Sequence, residues 1–173
     1  MEDGGPVGYA MVCRSGTRGT PVDWYVFWKL LHIASAIVAV GTNLTYFVWL
    51  RAMRGRPQPA QSFALETISG LDRRLANPAY MVLPTTGVIM VLISPLGFTT
   101  FWIAVAIGLY VLLGVFGGAL FVPALRRLAA IVNTEGPDAS GYADAVRRVS
   151  ARGLVTMLPV AGILYLMVFK PTP

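Results

Sequence analysis

Cysteine and histidine occur once each in the 173 residues, as Cys13 and His32, and only 8 residues are acidic. A single cysteine excludes an intramolecular disulfide and any cysteine-built metal cluster. A single histidine excludes a bis-histidine haem within one chain. Charged residues make up 13% of the sequence, about half the share of an ordinary soluble domain. Glu66, Asp72, Glu135, Asp138 and Asp144 all fall between the apolar blocks, not inside them. That placement argues against carboxylate relays within a span and against two-metal hydrolysis. The sequence also lacks a Ser–His–Asp set, a phosphate loop and zinc-type spacing.

What the chain has instead is apolar length, with 55% hydrophobic residues gathered into long blocks. Trp24 to Leu50, Pro78 to Leu96, Thr100 to Val122 and Gly153 to Phe169 meet or approach the roughly 20 apolar residues of a spanning helix. The pattern predicts an all-α fold: a polytopic four-helix bundle over 24–173, preceded by a flexible extracytoplasmic tail over 1–23. The first block is too long and starts too late for a cleavable signal peptide, so it is expected to stay in the protein. Pro95 and Gly97 mark a tight break between spans two and three.

The net charge of +6 comes mostly from arginines beside apolar blocks, a topology signal and not a nucleic-acid footprint. The expected partner is the lipid bilayer, with no nucleic acid. Arg51, Arg54, Arg56, Arg73 and Arg74 lie between spans one and two; Arg126, Arg127, Arg147, Arg148 and Arg152 lie between spans three and four. Because the link between spans two and three is uncharged, both arginine loops are expected in the cytoplasm and both termini outside. Trp24, Trp28, Phe101 and Trp102 would form the outer aromatic belt, and Trp49 the inner anchor.

Each arginine loop holds an amphipathic segment. Leu65, Ile68, Leu71 and Leu75 recur at helical spacing in one; Tyr142, Ala145, Val146 and Val149 do so in the other, with Asp138 or Ser140 as its N-cap. Each segment is expected either on the membrane surface or as an extension of the following span. A shift of 75 residues sets Leu50-Arg51 on Leu125-Arg126, and "LPTTG" at Leu83 on "LPVAG" at Leu158. This reads as an internal repeat of two hairpins related by an axis along the membrane normal.

Lys29, His32, Ala36, Ala39 and Asn43 share one face of the first span, small or polar throughout. Lys29 can snorkel to the outer interface. His32 lies one turn deeper and has two readings: a neutral imidazole bonded to a hydroxyl or carbonyl, or a ligand to haem iron or a metal. Depth counting puts Met90, Tyr110 and Tyr165 at the same height. Met90 is a candidate second axial ligand, and the tyrosines are candidate hydrogen-bond donors to a bound ligand. Pro84 and Pro159 each free a carbonyl one turn earlier, where Thr85 and Thr86 are placed to compensate. Gly114 and Gly118 form a G-x-x-x-G pair, read as internal packing with a dimer contact as the alternative.

"WKLLH" at Trp28, "RRLANPAYMVLPTTG" at Arg73, "RRLA" at Arg126 and "MVFKP" at Met167 resemble the superfamily of copper-resistance D proteins and HemJ-type protoporphyrinogen oxidases. Within it the chain is most similar to a branch of bacterial predicted integral membrane proteins of unknown function. The resemblance implies four spans in a bacterial cytoplasmic membrane, with haem b bound at the first-span histidine, here His32. Span three has no Lys, Arg or His, and the segment before span four reads "SARG". The basic and polar positions that HemJ-type enzymes carry there are therefore absent, and porphyrinogen oxidation does not transfer. The leading expectation is a bundle that holds haem or another redox ligand through His32, with Asn43, Met90, Tyr110 and Tyr165 around it. The competing class is a non-catalytic accessory subunit, as a homodimer or in a larger membrane complex. A small-solute or metal-ion permease ranks third.

Overall fold

The computed structural model describes residues 23–171, so most of the expected tail, including Cys13, lies outside the described residues. Asp23 begins the fold: its carboxylate accepts from the amides of Tyr25 and Val26, at 3.0 and 3.4 Å, and caps α1 (Trp24–Ala52). Three further helical runs follow. The second comprises α2 (Gln58–Leu71), a π-helical turn (Asp72–Ala76) and α3 (Asn77–Leu92). The third comprises α4 (Phe101–Val115), another π turn (Phe116–Phe121) and α5 (Val122–Thr134); the fourth is α6 (Tyr142–Phe169). All four runs are long and apolar enough to cross a membrane.

The expected span boundaries were too short at one end of the molecule. The run from Gln58 to Leu92 has 35 residues, about 50 Å of helix against a hydrocarbon core of about 30 Å. The surplus is the amphipathic segment, continuous with the span that follows it. The third span also continues to Thr134, which the charge of Arg126 and Arg127 had concealed. The last run starts at Tyr142 after Gly141, which offers no side-chain cap, so neither Asp138 nor Ser140 serves.

At this arginine-bearing end the apolar stripes face one another. Leu65 and Ile68 of α2, Leu128 and Val132 of α5, and Val146 and Val149 of α6 are all buried in one cluster with Leu50 of α1 and Met53, which caps its C-terminus. Burying a side chain of this size outside lipid contributes about 1.5–3 kcal/mol. Polar bonds hold the rim: the Gln58 amide donates to the Val132 carbonyl at 2.8 Å, and Arg54 to the Ser150 hydroxyl at 3.0 Å. Leu75 was expected on this stripe but is exposed, while Ala76 is buried. The π turn adds one residue to the helical phase, shown by the Asn77 amide donating to the Asp72 carbonyl, and so rotates Leu75 outward.

The other end is built differently. α1 packs along α3, α4 packs along α6, and α1 meets α6, but α3 and α4 make no close backbone approach. The order around the bundle is therefore α3–α1–α6–α4, with an open seam between the first and last. Side chains such as Leu30, Ile37, Leu92, Leu158 and Val168 point outward, as lipid-facing residues do. Lys170 ends α6 in the left-handed conformation (φ 45°), and its ammonium lies 5.7 Å from the centre of the Trp102 ring.

Candidate functional site

His32 stands on α1 beside this seam, and its ring is fixed from α3. Nδ1 lies 3.0 Å from the Leu83 carbonyl oxygen and 2.9 Å from the Thr86 hydroxyl. A carbonyl oxygen only accepts, so the neutral ring carries its proton on Nδ1 and leaves the lone pair on Nε2. No described residue hydrogen-bonds Nε2. Thr86 is itself buried, its hydroxyl 2.9 Å from the carbonyls of both Val82 and Leu83. Gly87 completes the seat: a Cβ there would come 3.4 Å from His32 Cε1. The bland partner expected for the imidazole, a hydroxyl or carbonyl, is present, and it occupies only one of the two nitrogens.

The same ring lines a cleft of about 260 Å³ between α3 and α4. Its walls are apolar, with Met90 from α3, Trp102 and Tyr110 from α4 and Met167 from α6. Among the described residues no group of three or more His, Cys, Asp or Glu converges on any point. The donor set therefore does not fit a bare metal ion, which needs several protein ligands. His32 Nε2 and the Met90 thioether are the two groups lining this cleft that could ligate a bound group.

A second cleft, of about 340 Å³, lies toward the arginine end and shares Tyr110 with the first. Asn43 lines this one, not the His32 cleft, and its side-chain amide hydrogen-bonds the Tyr80 hydroxyl. Pro84 has no amide hydrogen to give to the Tyr80 carbonyl, and the Tyr110 hydroxyl donates to that oxygen across the helix boundary. The freed carbonyl is thus satisfied by α4; Thr85 and Thr86 bond to the carbonyls of Met81, Val82 and Leu83 instead.

The expected site residues therefore separate. His32, Met90 and Tyr110 line the first cleft, termed outer for its distance from the arginine end, and Asn43 lines the second, inner one. Tyr165 lines neither; it is more than half exposed and stacks on Phe169 with ring centres 4.6 Å apart. Lys29 is exposed, and the buried stripe of α1 runs instead through Ser35, Ala39, Thr42, Tyr46 and Leu50. Gly114 and Gly118 are not internal packing positions, because a Cβ on either would meet nothing within 4 Å; they line the inner cleft. Sequence reasoning missed Thr86 and Gly87 as the seat of His32, although "TTG" after a span proline is the visible trace of both. It also missed Asp72, placed in a loop by its charge, which here lines the inner cleft.

A family model described as "Predicted integral membrane protein (DUF2269)" matches residues 26–171. No curated protein and no solved structure matches the chain.

Proposed function

Because the chain belongs to the DUF2269 family of predicted integral membrane proteins, we propose that its outer cleft holds haem b, or another flat redox ligand, through His32. The observation that carries this reading is the division of labour on one imidazole. Nδ1 is bonded to the Leu83 carbonyl and Thr86 hydroxyl, while Nε2 has no described partner beside an apolar cleft. Ligating histidines are oriented in this way, by donating their other nitrogen to a carbonyl. Met90 is the candidate second ligand, and Lys170 beside Trp102 offers a cation for a ligand carboxylate at the rim. Bound haem would supply one-electron chemistry. The chain's own part is to fix one nitrogen, to keep water out with apolar walls, and to hold the ring upright on Gly87.

A cleft of about 260 Å³ is smaller than the range of about 300–1,000 Å³ that encloses a drug-sized ligand. These walls would therefore cover a macrocycle held by His32 only in part. In the same reading the arginine end faces the cytoplasm of a bacterium and the aromatic end faces outward.

The test is a visible spectrum of detergent-purified protein from haem-replete cells. A Soret band is expected, abolished in His32→Ala and retained in Lys29→Ala. A folded but colourless protein would overturn the haem reading. In a Cys13→Ala background, labelling of Glu135→Cys and Gly97→Cys in intact cells checks the orientation, with only the second expected to react with an impermeant reagent.

A further inference from the structure

The inner cleft carries chemistry that the haem reading does not use. Asp72 opens the first π turn and is half-buried against α1. Its Oδ1 accepts from the Tyr46 hydroxyl at 3.2 Å, and its Oδ2 from the Asn77 amide at 3.3 Å. Both donors are neutral and both bonds are long. A carboxylate has about four acceptor sites, so half of that capacity is unused. Among the described residues the one ion pair is Arg147 with Asp144, so Asp72 has no cationic partner within 4 Å. Arg73 and Arg74 follow it in sequence but their side chains are exposed.

The surroundings of this carboxylate are aromatic. Tyr46 and Phe121 stack with ring centres 6.1 Å apart, and Phe47, Tyr80 and Tyr110 complete the walls. Gly153 lets two of these rings close in, since a Cβ there would come 3.2 Å from Phe47 and 3.3 Å from Phe121. Gly114, Gly117 and Gly118 also line the cleft and leave open space, with nothing within 4 Å of a Cβ on any of the three. Gly114, Gly118 and Met81 are exposed on the outer surface of the bundle, so the mouth opens sideways.

A half-desolvated carboxylate calls for a compensating positive charge, and aromatic faces attract a poorly hydrated organic cation. From these features together we infer that the inner cleft is a binding site for amphiphilic organic cations, entered from the bilayer, with Asp72 as the counter-charge. A lipophilic amine and the ammonium head of a zwitterionic lipid present the same chemistry.

The probe is tetraphenylphosphonium, titrated by calorimetry into the full-length protein in neutral detergent. Saturable binding is expected, weakened roughly tenfold or more by Asp72→Asn. Asp144→Asn, at an exposed carboxylate, and His32→Ala should leave binding unchanged, which separates this site from the haem reading. Neutral triphenylphosphine oxide should bind far more weakly than the cation. Should Asp72→Asn prove unstable, Gly118→Leu judges the site instead, by filling the cleft without touching the carboxylate. Displacement by phosphatidylethanolamine but not by phosphatidylglycerol would identify a lipid head as the natural source; no displacement would identify a free amphiphile. Absence of saturable binding, equal binding of the neutral analogue, or full binding by both cleft variants would overturn the inference.

Discussion

Glycine decides how closely side chains approach at three places in the bundle, and the three differ in how much they can give. At Gly87 an added methyl group would lie 3.4 Å from His32 Cε1, an ordinary contact, so Gly87→Ala should preserve the fold and Gly87→Leu should displace the ring. At Gly162 the nearest atom, at 2.9 Å, is the terminal methyl of Leu109, which can rotate away. At Gly153 the neighbours are two aromatic rings, and both are held by packing. Overpacking of that kind costs about 1–3 kcal/mol, so Gly153→Ala should lower the thermal midpoint in detergent clearly more than Gly162→Ala does. Equal midpoints for the two variants would contradict this assignment. The sequence singled out His32 by its uniqueness, because one imidazole in an apolar run is conspicuous. Its partners were hidden, since Thr86 lies 54 residues away and no local periodicity connects it to His32.

Within single elements, proline placement explains most departures from regular helix. Pro84 leaves the Tyr80 carbonyl to Tyr110, so α3 is joined to α4 by a side chain although their backbones stay apart. Tyr110→Phe should therefore cost about 1 kcal/mol, more if the carbonyl is left dry. In a Pro84→Ala background residue 84 regains its amide donor, and the same substitution should cost much less. A double-mutant cycle on thermal or denaturant unfolding measures the difference; strict additivity would count against the link. Each π turn is followed two residues on by a proline, Pro78 or Pro123, where a regular helical bond cannot form. The four runs themselves were legible from apolar block length, as were the break near Pro95 and the arginine-flanked ends. The π turns were not, because one added residue leaves composition unchanged and alters only the phase. That is why Leu75 and Asp72 were misplaced: one turned outward, the other inward.

Across the whole molecule, two ends follow two kinds of physics. The arginine end has a conventional water-excluding core, and Ile68→Ala or Leu128→Ala there should cost about 2–5 kcal/mol. Outward residues such as Leu30 and Leu158 already face an apolar solvent, so their alanine variants should shift stability by less than about 0.5 kcal/mol. Reversible unfolding in mixed micelles compares the two sets; similar losses in both would refute the division. Composition underrated the packing at the arginine end, since arginines on the outside of a helix mask the leucines behind them. The unclosed side of the bundle has a further consequence. A greasy guest of either recess would search for the protein in the plane of the membrane, at the concentration set by its own partitioning. Occupancy would then track how much of that molecule the bilayer dissolves, and barely register its level in the surrounding water.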